Sequence, residues 1–124
     1  ILELTTKKIK ERKEDILNEL PTNKTNINAL KKKLKEYRYI DELQELHIGT
    51  YIRWIKFYSD DSISITNGAI LTDVLFENNI QLLLRNNMNR FFKINFNDNL
   101  IFQKVTNQEK IILFINENSE KLKV

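Results

Sequence analysis

Apolar residues recur with helical spacing in the first part of the chain. Leu2, Ile9 and Ile16 lie seven residues apart, as on a charged helix with one narrow apolar seam. Pro21 ends this pattern, because the residue before a proline is pushed out of the helical region. A second stripe follows, and we interpret the pair as an antiparallel helical hairpin or a broken arm. Its members are Ile27, Leu30, Leu34, Tyr37, Ile40, Leu43 and Leu46.

Beyond residues 47–49 the pattern changes to short apolar blocks separated by Asn, Asp, Gly and Ser. Blocks rich in β-branched and aromatic residues predict strands, and the polar punctuation predicts tight turns. Asn67-Gly68 is the strongest turn or bulge signal, because both residues tolerate a positive φ. The predicted strands are 50–58, 62–66, 69–77, 80–85, 90–96, 100–105 and 110–116.

Six or seven short strands within about 68 residues suit a small, strongly bent antiparallel barrel rather than a large sandwich. We therefore predict an α+β fold in which an N-terminal helical arm or hairpin precedes a small antiparallel β-barrel of the SH3-like or Sm-like kind. The predicted parts are the arm at 1–47, the barrel at 48–117 and a frayed tail at 118–124. We expect the arm to cover an open end or edge, since bare edge strands promote aggregation.

Composition argues against most enzyme chemistries. The 124 residues include no cysteine, one histidine and two glycines. Thiolate catalysis, the usual zinc sites and glycine-rich phosphate loops all need more of these residues. The aspartates Asp60, Asp61 and Asp98 fall in predicted turns, where Asp bonds to nearby backbone. We expect a non-enzymatic protein without a cofactor, a metal or a small-molecule substrate.

The first predicted strand interleaves aromatic and basic side chains. Alternation puts Trp54, Lys56 and Tyr58 on one face, which we interpret as the outer face. Such a row suits contact with protein, because Trp and Tyr lead protein–protein hot spots, or stacking on nucleic-acid bases. A further alternative places Trp54 in the core. The predicted inner set is Tyr51, Ile55 and Phe57.

Charge is only weakly biased along the chain. The net charge is +3, with 11 basic and 9 acidic residues in 1–47 and 9 and 8 in 48–124. A nucleic-acid module usually shows a strongly basic face, so this balance permits that function without requiring it. The helical lysines also suit a solvated face. The candidate nucleic-acid contacts are Lys31, Lys32, Lys33, Lys35 and Arg53.

Three short segments carry a resemblance to a known group of proteins. They are residues 49–55 (GTYIRWI), 66–71 (TNGAIL) and 99–102 (NLIF). They resemble small β-modules in proteins of nucleocytoplasmic large DNA viruses, over roughly residues 47–116. The resemblance implies a virion or assembly component and implies no active site.

These patterns favour a structural or assembly module, such as a minor virion or capsid-associated protein, that contacts protein, either its own copies or other subunits. The predicted contacts are Trp54, Lys56 and Tyr58 with the seam residues Ile9 and Ile16. The alternative is a nucleic-acid-binding small barrel. No apolar run reaches the roughly 20 residues that span a bilayer. No secretion signal is recognisable, so we expect an intracellular protein, in the cytoplasm or in a virion.

Overall fold

A computed structural model of the chain describes residues 5–118. Leu2 of the predicted seam and residues 119–124 of the predicted tail lie outside this range. No helix within it has the length and apolar character needed to cross a membrane. The elements in order are α1 (Thr6–Asn18), α2 (Lys24–Lys33), β1 (Tyr37–Ile40), a 3-10 turn (Leu43–Glu45), β2 (Tyr51–Phe57), β3 (Ile63–Ile65), β4 (Ala69–Leu75), β5 (Gln81–Arg85), β6 (Phe91–Asn95), β7 (Leu100–Lys104) and α3 (Asn107–Glu117).

Helices α1 and α2 lie on either side of Pro21, where the sequence predicts a break. The Asn23 side chain caps α2 by accepting a hydrogen bond from the Asn26 N–H at 2.8 Å. The prediction that the second helix continues to residue 46 is wrong, because α2 ends at Lys33. The following apolar residues form strand β1, which pairs with β7 from Tyr37 to Ile40.

The seven strands of the described range form one antiparallel sheet that does not close. Its order is β1-β7-β2-β4-β5-β6, and β3 pairs with the remaining half of β2. Strands β1 and β6 stand at the two ends of this order, with no ladder between them. The predicted SH3-like or Sm-like barrel is therefore wrong. The segment expected to supply a last strand, 110–116, is helical and adds nothing to the sheet.

Helix α3 forms where the β-branched run Ile111-Ile112 predicted a strand. Thr106 starts it with a capping box: its Oγ1 accepts from the Glu109 N–H at 3.1 Å, and Glu109 Oε1 accepts from the Thr106 N–H at 3.4 Å. This reciprocal pairing satisfies two backbone donors at the start of a helix. The local capping signal therefore outweighs the β-propensity of the run.

Two apolar cores lie on opposite faces of the sheet. One lies between the first two helices and strands β1, β7, β2 and β3, and includes Leu17, Leu34, Ile55 and Phe102. The other lies inside the curve of the sheet, where the Trp54 ring on β2 meets the Phe92 ring on β6 at 5.8 Å between centroids. Since β4 and β5 separate those two strands, this contact requires strong curvature. The central part of β2 is consequently buried on both faces.

Gly68 lies where the neighbour of β2 changes from β3 to β4. Its φ is +95°, which confirms the positive φ predicted from Asn67-Gly68. A Cβ atom at this position would lie 2.6 Å from the carbonyl oxygen of Ile52. The glycine therefore serves both a left-handed turn and the close approach of two backbone segments.

Candidate interaction surfaces

The predicted outer row on β2 is only partly exposed. Trp54 retains 4% of its exposure and belongs to the inner core. Its expected outward position is wrong, since the curved sheet covers this face. The buried indole Nε1–H has no hydrogen-bond partner within the described residues. Lys56 and Tyr58 are exposed, and so is Phe57, which was expected to point inward.

The two seam residues within the described range, Ile9 and Ile16, lie against other parts of the same chain. Ile16 packs against the helix-side core. Ile9 is half-buried and lines a groove between helices. Their role in partner binding stays a prediction, and neither presents a fully open apolar seam.

Helix α3 carries an apolar surface that the predicted strand did not reveal. Ile111, Ile112, Phe114 and Ile115 are 60%, 50%, 59% and 48% exposed. At about 100° per residue these four side chains occupy one side of the helix; we call them the α3 face. The capping pattern from Thr106 to Glu109 is the sequence signal that would have identified the helix.

The opposite side of α3 is anchored to the rest of the fold. Leu113 is buried, and Glu109 Oε2 accepts a hydrogen bond from the Arg38 Nε–H at 3.0 Å. At the other end Glu117 Oε1 accepts from the Thr6 N–H at 2.8 Å, a bond that lowers the pKa of this carboxyl. These contacts fix the rotation of the helix so that the α3 face points away from the fold.

Arg38 is the centre of this anchoring. It is a buried residue of β1, and its guanidinium also donates from Nη1 to Glu45 Oε2 at 2.8 Å. The Glu45 carbonyl accepts from both Arg38 and the buried Gln103 amide. One cation thus joins β1, the 3-10 turn and α3, in keeping with the rule that buried charges are paired.

A groove of about 600 Å³ lies between α1, the end of α2, the start of β1 and α3. Ile9, Tyr37, Val105 and Leu113 provide its apolar surface. We call it the lysine groove, because its charged lining is dominated by six lysines: Lys10, Lys13, Lys31, Lys32, Lys35 and Lys110.

Three of the predicted basic contacts meet in this groove. Lys31, Lys32 and Lys35 line it, whereas Lys33 and Arg53 do not. The Arg53 guanidinium is occupied by structural bonds, donating to the carbonyls of Thr66 at 2.8 Å and Lys33 at 3.0 Å. Sequence reasoning missed Lys10, Lys13 and Lys110, which come from other helices and share no local pattern with the run at 31–35.

Lys13 differs from the other lysines because it is buried. Its Nζ donates to the carbonyls of Leu34 at 2.8 Å, Tyr37 at 3.0 Å and Lys35 at 3.4 Å. Burial lowers the pKa of this ammonium, and the nearby Lys10 adds to that shift while Glu14 opposes it. The three bonds tie α1 to the chain between α2 and β1.

We expect Lys13→Met to lower the free energy of unfolding by about 1–3 kcal/mol, because the buried carbonyls of Leu34 and Tyr37 would lose a donor. Urea unfolding followed by Trp54 fluorescence measures this. Lys10→Met is the matched control, since Lys10 is exposed. Equal effects of the two substitutions would show that the Lys13 bonds contribute nothing.

Comparison of the chain with protein-family models, with curated proteins and with solved structures finds no match. Within residues 5–118 no three His, Cys, Asp or Glu side chains are grouped so that they could hold a metal ion.

Proposed function

We propose that this chain is an assembly module that binds a second copy of itself through the α3 face. The observation that carries the proposal is the exposure of four large apolar side chains on a helix of 11 residues whose other side is already anchored. The largest contiguous apolar patch on a soluble monomer, typically about 300–600 Å², is often functional. An assembly role is also what the resemblance to β-modules of large DNA viruses implies.

The size of the α3 face is sufficient for the centre of an interface. At about half exposure, each of its four side chains offers roughly 100 Å² of apolar surface, or about 400 Å² per copy. Two copies would remove about 800 Å² from water, a gross gain of about 20 kcal/mol at 25 cal/mol/Å². Association itself costs roughly 4–15 kcal/mol, and ordering of side chains adds to that cost, so only part of this gross gain would remain as affinity. Polar residues around the face would supply the remainder of a standard interface.

We expect Ile111→Glu to shift the chain from dimer to monomer, because it would place a charge at the centre of the apolar contact. Light scattering coupled to size-exclusion chromatography of the full chain measures the mass. The substitution should leave the far-UV circular dichroism unchanged, since Ile111 is exposed.

Phe76→Glu is the matched control for this experiment. It makes the same change in net charge and also removes an exposed apolar side chain, but at the end of β4. The control should keep the mass of the wild type. Loss of association in both variants, or in neither, would contradict a contact through α3.

A further inference from the structure

Lysines that are spread evenly along the sequence come together on one surface of the fold. A second cavity of about 440 Å³ adjoins the lysine groove: the two share Glu36, Val105 and Lys110, and the second adds Lys104 and Tyr51. We call the two together the lysine track. Its lining holds seven lysines and two glutamates, a net +5, whereas the whole chain carries +3. The remainder of the chain therefore carries −2.

Most of these lysines have no partner within the described part of the chain. Only Lys13 of the seven uses its ammonium group, in its bonds to backbone carbonyls. The others form neither a salt bridge nor a side-chain hydrogen bond with residues 5–118: Lys10, Lys31, Lys32, Lys35, Lys104 and Lys110. Like charges gathered in this way repel one another, so a bound polyanion would relieve an existing cost.

We propose that the lysine track binds the backbone of single-stranded nucleic acid. The track comprises two adjacent cavities that share lining residues, so it offers successive phosphate positions rather than a single anion pocket. Lysine binds phosphate as a point charge and conveys no base preference.

Aromatic rings on the track strengthen the case for nucleic acid. Tyr37 lines the first cavity and Tyr51 the second, and both are partly exposed. The Arg53 guanidinium lies 5.9 Å from the centre of the Tyr37 ring and holds it from one side. Partly exposed rings beside a basic groove allow bases to stack without sequence selectivity.

Other polyanions fit the same surface less completely. An acidic peptide would match the charge but would leave the two tyrosine rings without a stacking partner. A flat anionic membrane would contact the exposed lysines, such as Lys32 and Lys35, but not the half-buried Tyr37 or the buried Leu113. These differences make both of them useful competitors in a binding experiment.

The test measures binding of a fluorescent 12-nucleotide thymidine strand to the full chain by anisotropy between 50 and 200 mM salt. The wild type should bind with an affinity that falls steeply with salt, by about 0.7 log units per log unit for each phosphate neutralised. Replacing both Lys32 and Lys35 by alanine should weaken binding about tenfold or more at 0.1 M salt and reduce the slope by about 1.4. Both side chains are exposed, so the fold should persist.

The matched control replaces Lys24 and Lys93 by alanine, which makes the same change in net charge at exposed sites outside the track. It should keep the wild-type affinity within about twofold and the wild-type slope. Equal weakening in the control, or no binding by the wild type at 50 mM salt, would overturn the proposal. So would competition by a 12-residue polyglutamate or by phosphatidylserine vesicles that matches unlabelled thymidine strand.

Discussion

Gly68→Ala should lower the free energy of unfolding by about 3–5 kcal/mol, from backbone strain plus overpacking. At a φ of +95° a side chain is unfavourable whatever space surrounds it. The added Cβ would also meet the Ile52 carbonyl oxygen at 2.6 Å and the Tyr51 ring at 2.7 Å. Ile52 is fixed by pairing with β7 on one side and β4 on the other, so its backbone cannot move away. Urea unfolding measures the loss.

Gly49→Ala separates the two causes. Gly49 has a similar φ of +91° but no atom within 4 Å of an added Cβ. Its substitution should cost only the strain of the left-handed conformation, about 1–2 kcal/mol. A cost at Gly68 no greater than at Gly49 would show that the close approach to β2 is not limiting.

Arg38→Met should cost about 3–5 kcal/mol of unfolding free energy, as removing one partner of a buried ion pair commonly does. The substitution would leave the largely buried carboxylates of Glu45 and Glu109 without their shared cation. It should also loosen α3, because Glu109 is one of its anchors. Thermal unfolding and amide hydrogen exchange of residues 107–117 would report the two effects separately.

Arg12→Met provides the comparison for this substitution. Arg12 reaches the same Glu45 at 3.7 Å, but its side chain is 41% exposed. Exposed ion pairs contribute about 0–1 kcal/mol, so a small loss is expected and α3 should exchange as in the wild type. Similar costs at Arg38 and Arg12 would contradict the view that burial makes Arg38 the central anchor.

The local parts of the fold follow from the sequence. The six predicted strands between residues 50 and 105 are confirmed within one or two residues, because the Asn, Asp and Gly punctuation marks real turns. Phe92, Ile94 and Phe96 alternate along the sequence and all pack against the inner core, as strand periodicity requires of residues on one face.

The wrong secondary-structure predictions concern two segments, 37–40 and 110–116, whose local sequence is compatible with both a helix and a strand. Tyr37 and Ile40 fit a helical stripe at spacing three, but β1 is covered on both faces, so its strand alternation is hidden. At the other end Ile111 and Ile112 have strand propensity, but no sheet edge receives them and the capping box at Thr106 starts a helix. The predicted barrel needed residues 110–116 as its last strand, and these residues are helical.

The candidate surfaces were even less accessible to sequence reasoning. The α3 face requires knowing that residues 107–117 are helical and which side is anchored. The lysine track joins residues from α1, α2, β7 and α3, so counts of charge along the chain show no excess. The prediction for Trp54 was also wrong: this residue was expected at the surface, but it lies buried under the curve of the sheet.

Sedimentation equilibrium of the full wild-type chain, over a concentration series from 5 to 200 µM, tests the proposed assembly most directly. Association through the α3 face predicts a reversible dimer whose fraction rises with concentration. Because the contact is mainly apolar, 0.5 M salt should change the dissociation constant little. A chain that stays monomeric over the whole series, or one whose association disappears at high salt, would contradict assembly through α3.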